Sequence, residues 1–71
     1  MINGKHLYIL RLIKGMKQSE VARKMGITQQ AYSKLERAEK LRDDKIDEIL
    51  HALRSSRAEL VEVSRLFQVW F

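Results

Sequence analysis

Two adjacent glutamines, Gln29 and Gln30, follow Thr28 at the start of a short apolar-periodic segment, with Ser33, Lys34 and Arg37 on the same outward side. A glutamine amide carries a donor and an acceptor side by side, which matches the N6 and N7 edge of adenine in a major groove. Each bidentate pair of that kind discriminates between bases by about 1–3 kcal/mol. The chemistry on offer is recognition by hydrogen bonding, with no bond made or broken. Glutamine is also common as plain surface filler, so the reading depends on the elements that hold the pair.

Those elements are two short helices. Residues 18–25 place Val21, Ala22 and Met25 on one buried face, and Gly26 follows at once. Thr28 is a good N-cap for residues 29–36, which turn Tyr32 and Leu35 inward. Two helices that cross steeply through a three- to four-residue turn need a tiny side chain at the crossing and a turn residue tolerant of positive φ. Ala22 and Gly26 meet both needs four residues apart, which points to a helix-turn-helix. A plain helical hairpin would share the apolar pattern without needing that combination.

The remaining chain supplies the support. Residues 6–14 read as a first helix ending at Gly15, with Leu7 and Leu10 toward a core and Tyr8, Ile9, Leu12 and Ile13 to spare. A fourth helix over 44–53 follows a cap at Asp43 or Asp44 and carries Ile46, Ile49, Leu50 and Leu53. A fifth opens on the pair Ser56 and Glu59, spaced as a capping box, and runs over 57–71. No stretch alternates with period two. The expected fold is all-α, a bundle of four or five helices in a single domain over residues 1–71.

Composition narrows the function. Seventy-one residues leave room for one core, and 45% apolar content is too high for a disordered tail. With no cysteine there is no disulfide, thiolate metal site or cysteine nucleophile, and a cytoplasmic protein held by packing alone is expected. No apolar run is long enough to span a bilayer, so no membrane partner is expected. Through Arg42 the chain holds ten basic residues against three acidic, and beyond it four against six. A basic front half suits contact with a polyanion there. His6 and His51 stand alone, and the acidic group Asp43, Asp44, Asp47 and Glu48 sits where a helix start favours negative charge. No enzyme, metal or cofactor is expected.

The string Gln18-x-x-Val21-Ala22-x-x-Met25-Gly26-Ile27-Thr28, with Arg11, Gly15, Leu35-Glu36-Arg37 and Ile49-Leu50-x-Ala52-Leu53, resembles the lambdoid phage repressor and Cro family of helix-turn-helix proteins, also called XRE-like. The likeness covers residues 7–53. It implies a five-helix, lambda-repressor-like DNA-binding domain whose residues 29–36 read bases on double-stranded DNA, a DNA-bound (nucleoid-associated) location included. It also implies a phosphate contact at Gln18, base edges facing Lys34, and phosphates met by Arg37, Lys40 and Arg42. By the same resemblance Arg11 and Glu36 form an ion pair linking the first and third helices. The chain departs from the pattern at Ala38, where the family often has glycine, at Leu41 in place of proline, and at Lys17 in place of a capping residue.

The last segment, 56–71, is more apolar than a small bundle can absorb. Some of this surface packs on the spare face of the first helix. Leu60, Val63, Phe67, Trp70 and Phe71 are the expected face of a homodimer, which would set two reading helices about 34 Å apart, one turn of DNA. The alternative is that this helix only closes the chain's own core. A transcriptional repressor acting by occupancy of an operator is the reading these residues favour. An antitoxin that binds a toxin protein through its C-terminal face, and a protein-interaction module without DNA binding, are the alternatives.

Overall fold

A computed structural model of the chain describes residues 2–67, and five helices account for most of them. They are α1 (Gly4–Ile13), α2 (Gln18–Met25), α3 (Gln29–Glu36), α4 (Asp43–Leu53) and α5 (Arg57–Leu66), with no strand among the described residues. Helix α1 packs on α5 and α3, and α2 packs on α3 and α4. The core between them is built from Leu7 and Leu10, Val21 and Ala22, Tyr32, the α4 row Ile46, Ile49, Leu50 and Leu53, and Leu60 and Val63. Each of the buried leucines, isoleucines and valines contributes roughly 1.5–3 kcal/mol over its exposed state.

Helix starts differ from expectation where another residue occupies the cap. Helix α1 begins two residues earlier than the apolar pattern indicates, because Asn3 caps it. The Asn3 carboxamide oxygen accepts from the N–H groups of Lys5 and His6 at 3.0 and 3.3 Å, and His6 Nδ1 accepts the Asn3 N–H at 3.0 Å. Neither Asp43 nor Asp44 caps α4. Arg42 occupies the cap position without a side-chain capping bond, and both aspartates lie in the first turn, where the helix dipole favours them. Only half of the box at Ser56 forms: its Oγ accepts the Glu59 N–H at 3.2 Å, while the Glu59 carboxylate goes to Lys14 and Ser55. Lys17 leaves α2 without a side-chain cap of its own, and the carboxylate of Glu20 takes the Lys17 N–H instead, at 3.0 Å.

The C-terminal segment needs a correction. Leu60 and Val63, expected at a dimer face, are buried in this chain's own core, since the i, i+3 face of α5 is the one turned onto α1. Among the described residues the large apolar side chains left outside are Tyr8, Leu12 and Ile13 on α1 with Val61, Leu66 and Phe67 on and after α5. Trp70 and Phe71 lie outside the described residues.

Burial lowers the pKa of His6 below its ordinary value of 6.5, and the backbone of Phe67 partly offsets that effect. The ring is neutral in the folded chain and takes a proton readily only when freed, so acid favours unfolding. Its contribution is whole above about pH 6.5 and is lost as pH falls through the lowered folded value. Urea midpoints measured from about pH 7 down to about pH 5 should therefore fall for the natural chain. In His6→Gln, where an amide can fill the same capping position without titrating, that slope should flatten. An equal slope in both would remove the assignment.

Candidate nucleic-acid interface

The corner between α2 and α3 is made as its residues require. Ala22 is buried at the crossing, Gly26 adopts φ 73°, and the Ile27 N–H returns to the Ala22 carbonyl at 3.0 Å. Thr28 Oγ1 then accepts the Ala31 N–H at 3.1 Å and starts α3 in a fixed direction. Gln29 and Gln30 stand exposed in its first turn, and Lys34 and Arg37 continue the outer side, with Ser33 half-buried between them. A shallow concavity of about 450 Å³ runs along this face, lined by Gln18, Gln29, Gln30, Ser33, Lys34 and Arg37. Gln18, Gln29, Gln30, Ser33, Lys34 and Arg37, all expected at DNA, are thus brought together, and Thr28, another candidate contact, adjoins them as the cap.

Lys40 and Arg42 are exposed on the loop after α3 and do not line that concavity. Arg42 also shares its charge with Asp44, at 2.9 Å. The acidic group at the start of α4 is engaged in the same way. Arg57 meets Asp47 at 3.0 Å and Asp43 at 3.6 Å, and Lys45 meets Glu48 at 3.3 Å. These exposed pairs contribute little to stability, about 0–1 kcal/mol each.

Under the reading face lies a buried polar network. Arg11 donates to both oxygens of Glu36, Nε to Oε2 at 2.7 Å and Nη2 to Oε1 at 3.2 Å, and its Nη1 donates to the Met16 carbonyl at 2.9 Å. The bond to Glu36 is the main reason the Arg11 pKa is raised further above its ordinary value. Gln18 Nε2 also donates to Glu36 Oε1, at 2.8 Å, which sets the orientation of that amide. Its oxygen therefore faces Gln29, whose Nε2 approaches it at 3.5 Å, the long limit of a hydrogen bond. Gln18 is thus tied to the ion pair as well as standing at the start of α2, and one of its two amide hydrogens is taken.

Tyr32 departs from expectation. An inward tyrosine brings a hydroxyl that must reach solvent or a partner, but this one is buried and has no hydrogen-bond partner. Burial pushes its pKa up strongly, and the nearby Glu36 carboxylate adds to the effect. The ring fills the wedge between helices, but the acceptor beside its hydroxyl, the Glu36 carboxylate, is already taken up by Arg11 and Gln18. An unpaired buried hydroxyl costs about 1–3 kcal/mol. Tyr32→Phe should therefore raise stability by about 1 kcal/mol, read as a rise of roughly 4–8 °C in melting temperature for a domain of this size. A fall would mean that the hydroxyl has a partner.

Gly4 was not singled out in the sequence, and its position explains how α3 is seated. Its N–H donates to the Ala38 carbonyl at 2.9 Å. A Cβ there would stand 2.2 Å from the Leu35 carbonyl oxygen and 2.6 Å from Glu36 backbone atoms. The first turn of α1 thus lies directly against the last turn of α3, a contact only glycine permits. In sequence Asn3-Gly4 has the look of an ordinary turn, so the only signal was a glycine placed before a helix rather than after one. Gly4→Ala should cost about 1–3 kcal/mol, since backbone rather than a flexible side chain must move. Chemical denaturation checks this, and an unchanged midpoint would contradict it.

A family model described as helix-turn-helix matches residues 7–60, most of the chain. The chain belongs to that family: it is a DNA-binding transcription regulator of XRE type, a class that works by binding rather than by catalysis. No curated protein and no solved structure matches it. No helix among the described residues is long and apolar enough to cross a membrane.

Proposed function

We propose that the chain is a sequence-specific repressor that reads an operator half-site with α3 in the major groove. The observation that carries this is the exposed first turn of α3, where Gln29 and Gln30 stand over a concavity walled by Gln18, Ser33, Lys34 and Arg37. An outer helix whose N-terminal residues are amides and whose later residues are cations has the order that groove entry needs: base edges first, phosphates alongside. The finer likeness to lambdoid phage repressors supports the same assignment. Base choice then comes from Gln29, Gln30 and Lys34, while much of the affinity comes from phosphates and falls with salt.

The protein acts in the cytoplasm as a homodimer, so that two α3 helices meet successive turns of the duplex about 34 Å apart. The apolar surface of Leu12, Ile13, Val61, Leu66 and Phe67 favours such pairing. Bound at an operator, the dimer represses by occupancy.

Selection of bound sites from a random duplex pool tests the proposal. A near-palindrome should emerge, and Gln29→Ala should relax preference at one position per half-site by about 1–3 kcal/mol. Lys40→Ala, by contrast, should weaken all sequences about equally. No enrichment, or the same uniform loss for both variants, would refute it.

A further inference from the structure

A second, smaller concavity lies on the same side of the molecule, about 210 Å³ in volume and lined by Lys5, Tyr8, Gln18, Ser33, Glu36 and Arg37. It shares Gln18, Ser33 and Arg37 with the concavity along α3, so the two adjoin. Nothing in the reading of bases uses its far wall, which is the first turn of α1.

The charge on its walls is unbalanced in one direction. Glu36 contributes a carboxylate, but both oxygens are occupied by Arg11 and one also by Gln18, so its charge is compensated. Lys5 and Arg37 have no carboxylate partner among the described residues. Lys5 Nζ rests 5.5 Å from the centroid of the Tyr8 ring, which the Arg11 guanidinium also meets at 5.4 Å. A ring positions an ammonium without neutralising it, so the Lys5 charge stays uncompensated. Arg37 is steadied from the other side, its Nη1 donating to Ser33 Oγ at 2.9 Å, which leaves its other donors unclaimed. Two positioned cations, with an amide and a hydroxyl between them, match a group that bears one negative charge on two oxygens.

We propose that this concavity is a backbone-phosphate subsite, in which one phosphodiester beside the base-reading groove seats between Lys5 and Arg37. The inference rests on the DNA-reading assignment above and extends the contact surface across α3 onto α1. Tyr8 acts there as a positioning residue that holds the Lys5 ammonium at the rim. Because α1 also seats the end of α3 through Gly4, a phosphate held here registers the duplex against the element that aims the reading helix.

The test measures binding of a duplex selected by the natural chain, over a range of salt concentrations. Lys5→Gln should lower affinity on selected and scrambled duplexes alike and reduce the salt slope by about 0.9, and Lys5→Arg should restore both. Single phosphates of the duplex are then replaced in turn by neutral methylphosphonates. One replacement should weaken the natural chain while leaving Lys5→Gln little affected, and Arg37→Gln should lose sensitivity at that same position. Thermal melting of each variant excludes a folding defect, and Arg37→Gln carries the test should Lys5→Gln melt early. A salt slope unchanged by either substitution, with Gln29→Ala still relaxing base preference, overturns the subsite and leaves the reading of bases intact. A natural chain with no preference among duplexes overturns both.

Discussion

The Arg11 guanidinium binds three segments at once. It closes on both oxygens of Glu36 at the end of α3, and it holds the Met16 carbonyl in the turn before α2. Taking two charges out of water costs about as much as their attraction returns, so such a pair adds little net stability. Its value is directional. Removing one partner would strand a buried charge at about 3–5 kcal/mol, so alternative packings of α3 that separate the pair are disfavoured. The pair therefore helps to fix the angle at which the reading helix leaves the bundle.

The network extends from the core to the surface in short steps. Glu36 orients the Gln18 amide, and the Gln18 oxygen faces the Gln29 amide. A base-reading side chain is thereby linked to a buried ion pair through a single intermediate. The same end of α3 that carries Glu36 is also seated by the bare backbone of Gly4 and its bond to Ala38. The Ala38 carbonyl, just past α3, is the acceptor that fastens α1 to the loop. Steric fit and hydrogen bonding thus hold the helix from below, while its outer side remains free for contact.

Charge is divided along the same lines. Cations around the reading face have few carboxylates near them, whereas the acidic start of α4 is matched by Arg42, Lys45 and Arg57. One face is left with an uncompensated positive field, and the other is close to neutral. Such a distribution steers a polyanion toward a single side of a small molecule.

Much of this architecture was legible in the residues themselves. Apolar spacing marks all five helices, and Ala22 with Gly26 defines the corner because steric demands there act over four residues. Gln29 and Gln30 fall on the outer side for the same reason: helix periodicity alone decides which side chains turn away from Tyr32. Tertiary packing decided the rest. Leu60 and Val63 became core rather than interface because α5 folds back onto α1, and no local pattern distinguishes an apolar stripe that meets its own chain from one that meets another. Gly4, the orphaned Tyr32 hydroxyl and the Gln18–Glu36 bond likewise arise between segments distant in sequence. Local propensity is written into neighbouring residues, but the contacts that aim α3 exist only once the chain has closed on itself.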